Sequence, residues 1–136
     1  MQTSASLPGR VLVIDDEQSA RALLQRVLER AGHQVTVVDT GEKGLEALAV
    51  GPFDLIVTDK NLPGIDGLEV LRLARSKYPT IQAIVITGFP TPETESSARE
   101  LGVFAYVVKP FGILKIVQAC DGAIDAARSG NAQAGR

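Results

Sequence analysis

Three observations predict a doubly wound α/β domain on a five-stranded parallel sheet of strand order 2-1-3-4-5. The first is a set of short runs rich in β-branched residues: VLVID (Val11 to Asp15), DLIVTD (Asp54 to Asp59), AIVIT (Ala83 to Thr87) and VFAYVVK (Val103 to Lys109). They are too continuously apolar for half-exposed strands and read as central strands buried on both faces. The second is the strict alternation of these runs with segments of helical period, since right-handed crossovers then place helices on both faces of the sheet. The third is the position of the chemically active side chains. Asp15, Asp16, Asp59, Thr87 and Lys109 all stand where an apolar run ends, and in a parallel sheet those ends share one edge.

The elements follow in order. After the first strand, Glu17 to Ala31 carries Ala20, Leu23, Leu24, Val27, Leu28 and Ala31 at spacings of three and four, and Gly32 is a natural helix stop. Gln34 to Val38 is the second strand. Thr40 is placed to cap a helix over Gly41 to Val50, which Gly51-Pro52 ends. Past the third strand, the turn Asn61-Leu62-Pro63-Gly64 precedes a helix from about Asp66 to Lys77, with Leu68, Val70, Leu71 and Ala74 inward and Tyr78-Pro79 closing it. Thr91-Pro92-Glu93 opens the next helix with a capping hydroxyl, a proline in the first turn and an acid favoured by the helix dipole. Gly102 ends that helix. The last helix runs from about Ile113 to Ala127, with an apolar stripe wider than one core-facing side requires. Residues 1–9 read as a disordered tail and residues 129–136 as a flexible tail or the start of a linker, leaving residues 10–128 as the folded unit.

Composition narrows the function. The chain has 136 residues, enough for one domain with a real core, and a net charge of −2 with scattered Lys and Arg. Without a basic stripe, and with two Tyr, four Phe and no Trp, direct nucleic-acid binding is not expected. No apolar stretch approaches the ~20 residues of a membrane span, and MQTSASLPGR lacks a signal-peptide core, so a cytoplasmic protein is expected. The single cysteine, Cys120, agrees with a reducing compartment. His33, the only histidine, follows a helix-ending glycine and is expected to be exposed, a poor phosphodonor or metal ligand.

Asp15 and Asp16 leave the first strand and Asp59 leaves the third, so the acids flank the switch point at which open α/β sheets bind ligands. Carboxylates about 4 Å apart repel by roughly 4 kcal/mol at an effective dielectric of about 20, and something positive must sit among them. An all-oxygen set without His or Cys favours a hard cation, and a site that shares a phosphate suits Mg²⁺ better than Zn²⁺. The backbone carbonyl of Asn61 offers one further oxygen. A carboxylate can also attack a phosphoryl group to give an aspartyl phosphate. Asp59 is the candidate, with Lys109 and the Thr87 hydroxyl compensating the phosphoryl charge. Taken singly, Asp15 would do as a helix cap, Thr87 as a strand-end hydroxyl and Tyr106 as a core residue; their joint placement makes the case.

Across roughly residues 10 to 127 the ordered motifs VIDDE, LIVTDKNLPGIDGLEVL, VITG and YVVKPF resemble those of the receiver domain of two-component response regulators. The resemblance implies the flavodoxin-like receiver fold and a non-enzymatic phosphoacceptor module. It implies that Asp59 accepts phosphate from a histidine kinase or phosphotransfer protein, that Asp15, Asp16, Asp59 and the Asn61 carbonyl bind Mg²⁺, and that Thr87 and Lys109 contact the phosphoryl group. It also implies a cis bond before Pro110 and a switch in which Thr87 moves and Tyr106 turns inward. The fourth helix, fifth strand and fifth helix would then present a changed surface to a downstream effector, with a homodimer through the last helix as a further expectation. Three positions depart from the common pattern: Lys60 after the acceptor, a bulky Phe89 two residues past Thr87 that would shield the phosphoryl group from water, and Gly112 where an acidic helix cap is common.

Other readings have specific requirements. A receiver-like interaction module working without phosphorylation would have no need of the full acidic set with Thr87 and Lys109. A flavodoxin-like cofactor binder should offer hydroxyls and backbone N–H groups after the first strand, where this chain offers Asp15, Asp16 and Glu17. A Mg²⁺-dependent phosphohydrolase would need a general acid near Asp59 and a capping insertion.

Overall fold

The computed structural model describes residues 8–134. Five parallel strands, β1 (Arg10–Ile14), β2 (Gln34–Val38), β3 (Leu55–Asp59), β4 (Gln82–Thr87) and β5 (Ala105–Val108), lie in the order β2-β1-β3-β4-β5. Five helices alternate with them: α1 (Gln18–Arg30), α2 (Gly41–Val50), α3 (Gly67–Lys77), α4 (Pro92–Glu100) and α5 (Ile113–Ala134). The predicted fold class and strand order are those observed, and the element bounds fall within a residue or two of expectation at most ends.

Every residue of β3 is buried, and so are the last four residues of β1 and the last five of β4. Alternate side chains along these strands feed two cores. Val11, Val13, Val57, Ile84 and Ile86 pack with Leu24 and Leu28 of α1 and with Ile116, Cys120 and Ile124 of α5. Leu12, Ile14, Ile56 and Val85 pack with Leu48 of α2, with Val70 and Leu71 of α3, and with Ala98 of α4. This two-sided burial explains why these strands read as unbroken apolar runs.

Local chemistry sets the helix ends. Gly32 takes φ 99° after α1, a conformation that L side chains rarely adopt. Thr40 and Asp66 cap α2 and α3, their side chains accepting from the backbone N–H of Lys43 and Glu69. Thr91 and Thr94 form a reciprocal capping box on α4. That helix is thinly anchored: Ala98 is its one buried side chain. Just past its far end, Arg75 of α3 donates to the carbonyls of Leu101 and Gly102 at 2.8 and 3.1 Å, and the same guanidinium donates to the Ile81 carbonyl before β4 at 2.9 Å.

Four expectations are corrected. VFAYVVK is not a central strand: it supplies the edge strand β5, with only Val107 buried and Val108 43% exposed, because no strand or second helix layer lies beyond it. The stretch from Ser129, expected to be loose, continues α5 to Ala134, since extending a formed helix adds one hydrogen bond per residue and no proline interrupts it. His33 is buried rather than exposed. Its Nδ1 accepts from the backbone N–H of Gly9 at 2.9 Å and its Nε2 lies 2.7 Å from Asp121 Oδ1, so the ring carries its proton on Nε2 and ties α5 to the base of the sheet. The start of α5 at Ile113 is as expected, its first turn closing through the Gly112 carbonyl and the N–H of Ile116. Of the expected tail at residues 1–9, Gly9 is already tied in, its carbonyl accepting from the N–H of Gln34 at 2.9 Å; residues 1–7 lie outside the described residues.

Candidate functional site

The carboxyl ends of β1, β3, β4 and β5 deliver their polar residues to one crevice. Asp15 and Asp59 sit just past β1 and at the end of β3, 1% and 6% exposed, and Thr87 ends β4 fully buried. Lys109, one residue past β5, reaches back over the sheet edge, its Nζ 2.7 Å from Asp59 Oδ2, 3.0 Å from Glu17 Oε1 and 3.4 Å from Asp15 Oδ2. Burial lowers the proton affinity of this ammonium, but the hydrogen bonds to Asp59 and Glu17 and the charges of Asp15 and Asp59 outweigh it and push its pKa up. Lys109 is a permanent cation here.

The carboxylates are held by backbone donors. Asp15 Oδ1 accepts from the N–H of Glu17 at 2.9 Å, and Asp59 Oδ1 from the N–H of Asn61 at 2.8 Å. Desolvation raises the pKa of Asp15, with a smaller contribution from the charge of Asp59; the Glu17 N–H and Lys109 only partly offset it. Carboxylate oxygens of Asp15, Glu17 and Asp59 all lie within 4.8 Å of one another. This hard, all-oxygen set can hold a metal ion, and its donors suit a cation that prefers oxygen.

The loop after β3 can pass this close only because of Gly67. A methyl group there would collide with the backbone carbonyl oxygen of Asp59, and the Gly67 N–H instead donates to the Lys60 carbonyl at 2.9 Å. The Lys60 ammonium lies 3.6 Å from Asp66 Oδ2.

The crevice thus joins Asp15, Asp59, Thr87 and Lys109 as the sequence placed them, and the peptide between Lys109 and Pro110 is cis. Asp16 is exposed, and the third clustered carboxylate is Glu17, which sequence reasoning left out. The acid that follows the DD pair was the available signal. The Asn61 side chain was also missed. Thr87 Oγ1 donates to Asn61 Oδ1 at 3.1 Å and accepts from the N–H of Phe89 at 3.0 Å. Tyr106 is half-buried, its hydroxyl 2.9 Å from Thr94 Oγ1. The Phe89 ring stands out in solvent, 76% exposed. Cys120 is inert, its thiol pushed up to about 12 by burial and the nearby Asp121.

Fold and crevice together define a doubly wound parallel α/β domain with helices on both faces of the sheet and a lysine-bridged carboxylate cluster at its switch point. A profile described as "Response regulator receiver domain" matches residues 11–121. The chain belongs to this receiver family, and its acidic cluster is consistent with a phosphoacceptor site. The response regulator protein FleR of Pseudomonas aeruginosa is 33% identical over 105 residues, covering 77% of this chain and 22% of that protein. The DNA-binding transcriptional regulator NtrC of Escherichia coli K12 is 36% identical over 116 residues, covering 85% and 25%. The chain therefore spans about a quarter of the length of these curated relatives. Among solved structures, a CheY-like receiver domain protein from Methanospirillum hungatei JF-1 superposes with a TM-score of 0.86 at 26% identity, covering 92% of this chain and 99% of its own. NtrX from Brucella abortus superposes with a TM-score of 0.88 at 25% identity, covering 94% of this chain and 30% of its own. Among the described residues, no helix is long and apolar enough to cross a membrane.

Proposed function

We propose that Asp59 is the phosphoacceptor of this receiver. The observation that carries the reading is the Lys109 ammonium bridging Asp59 and Asp15 where three carboxylates lie close enough together to hold a metal ion. An Asp59 oxygen attacks the phosphorus of a phosphohistidine on a kinase or phosphotransfer protein. The new P–O bond forms as the P–N bond breaks, and the imidazole leaves with that electron pair. The ionised carboxylate needs no general base. Lys109 moves with the developing charge from the carboxylate to a phosphoryl oxygen, and the Thr87 hydroxyl exchanges Asn61 for another.

Mg²⁺ is the proposed cation, held by Asp15, Asp16, Asp59 and the Asn61 backbone carbonyl, with Glu17 as the clustered carboxylate beside them. When bound, it neutralises the phosphoryl oxygens during transfer. The chain acts as a phosphoacceptor rather than as an enzyme on other substrates, in the cytoplasm. Its output is a changed α4-β5-α5 face, reached through Thr87 and Tyr106 as a population shift between two surfaces, and offered to an effector protein or domain or to a second copy through α5.

Incubation with Mg²⁺ and acetyl phosphate, followed by intact-mass analysis of wild type and Asp59→Asn, tests the assignment. A gain of one phosphoryl group in the wild type alone supports it. An equal gain in the variant, or none in a wild type shown to bind Mg²⁺, overturns it.

A further inference from the structure

The Thr94 hydroxyl joins the capping box of α4 to the sheet. A hydroxyl offers one proton and two lone pairs. Thr94 Oγ1 donates to the Thr91 carbonyl at 3.1 Å, accepts from the Thr91 N–H at 3.2 Å and lies 3.0 Å from the Thr91 hydroxyl. The Tyr106 hydroxyl lies 2.9 Å from the same oxygen, a hydrogen bond in which either hydroxyl can donate. The tyrosine is thus hydrogen-bonded to the side chain that also closes the capping box of α4.

The surroundings give this bond its importance. Along α4 only Ala98 is buried. The carbonyls just past its C-terminal end are gripped by Arg75. Its first turn has the Tyr106 phenol as a tertiary hydrogen-bond partner. Helices with few buried apolar contacts open at low free energy, so one hydrogen bond on the first turn has unusual weight.

We infer that Thr94 is the coupling residue between Tyr106 and α4. Its hydroxyl holds the tyrosine against the helix in the resting protein, and departure of the phenol frees the first turn of α4 while Arg75 keeps the other end fixed. This rests on the reading of Tyr106 as the moving residue of a phosphoacceptor. Nothing in a receiver's chemistry requires a threonine at the third position of that helix; a capping box is served as well by Glu or Gln, and the hydroxyl is the group that serves cap and phenol together. Thr94 is a positioning residue, remote from the carboxylates.

The test uses the full chain and four variants: Thr94→Val, Thr94→Ser, Tyr106→Phe and the double Thr94→Val/Tyr106→Phe. Amide hydrogen exchange at Glu95 and Ser96 is followed by NMR without any phosphodonor, and beryllofluoride with Mg²⁺, a phosphoryl mimic, is then titrated. Tyr106→Phe leaves the capping box intact, yet exchange should quicken by about fivefold, the factor set by one neutral hydrogen bond. Thr94→Val should quicken it at least as much, the double variant no more than Thr94→Val alone, and Thr94→Ser should match wild type. The beryllofluoride concentration for half-conversion should fall about fivefold in Tyr106→Phe and Thr94→Val. Wild-type exchange in Tyr106→Phe, or additive effects in the double variant, overturns the inference. A wild type that ignores beryllofluoride while the exchange coupling is present overturns the phosphoacceptor reading and leaves the Thr94–Tyr106 coupling supported.

Discussion

Replacing Asp15 by Asn should make the metal-free protein more stable and at the same time abolish most of its response to Mg²⁺. Asp15 faces Asp59 at no more than 4.8 Å, which at an effective dielectric of about 20 is a repulsion of at least about 3.5 kcal/mol. Lys109 at 3.4 Å returns about 5 kcal/mol by the same arithmetic. The N–H of Glu17 adds roughly 2 kcal/mol as a hydrogen bond to a charged acceptor. Against this net gain of about 3 to 4 kcal/mol stands the cost of burying a carboxylate that is 1% exposed, several kcal/mol. The upward displacement of the Asp15 pKa shows that burial wins. An amide keeps the acceptor for Glu17 and sheds the ion, so a gain of about 1 kcal/mol is expected, or about 3 to 4 °C in Tm for a chain of this size. Asp15 titrates above its ordinary value in the folded state, so its contribution to stability falls as pH rises through that range. The gap between variant and wild type should therefore close as acid protonates Asp15. With Mg²⁺ at about a hundred times its dissociation constant, wild type should gain about 2.7 kcal/mol and overtake the variant. Thermal unfolding at pH 7 and pH 4.5, with and without Mg²⁺, reads all four values. A metal-free Tm equal to or below wild type at pH 7, or a full Mg²⁺ shift in the variant, would refute the reasoning.

Gly67→Ala should cost about 2 to 3 kcal/mol, because the added methyl meets the fixed carbonyl of Asp59; a Tm within 1 °C of wild type would contradict the close approach. Arg75→Met strips donors from three carbonyls and should cost about 2 kcal/mol, with hydrogen exchange quickening at the end of α4 before the sheet. Phe89→Ser should shorten the lifetime of the phosphorylated protein severalfold, read by loss of the phosphoryl mass with time. An unchanged half-life would sink the shielding role expected of that ring, which stands in solvent in the resting structure.

Much of the fold was legible because a parallel sheet covered on both faces writes itself as apolar runs, as in Val11 to Ile14 and Leu55 to Asp59. The caps Thr40 and Thr91 were legible because a capping bond spans three residues. What escaped depends on groups far apart. Nothing near His33 announces Asp121, 88 residues on, so its burial could not be read locally. VFAYVVK has the composition of a central strand, and only its place in the sheet order makes it an edge. Which acid after Asp15 turns inward is decided by the loop's path: the Asp15 side chain binds the N–H of Glu17, and it is Glu17 that meets Lys109. The partners of Thr87 and Tyr106 in Asn61 and Thr94 likewise appear only once the loops close.

The His33 tie changes how motion in this domain can be observed. With Asp121 fixed to His33 and the Arg128 guanidinium donating to the Pro8 carbonyl at 2.7 Å, α5 is bolted to the end of the sheet opposite the crevice. It is therefore the natural fixed frame of the molecule. A pair of spin labels or dyes with one member at Gln118 on α5 and the other at Ser96 on α4 would assign any change in distance to α4, so one scalar reading reports the state of the crevice.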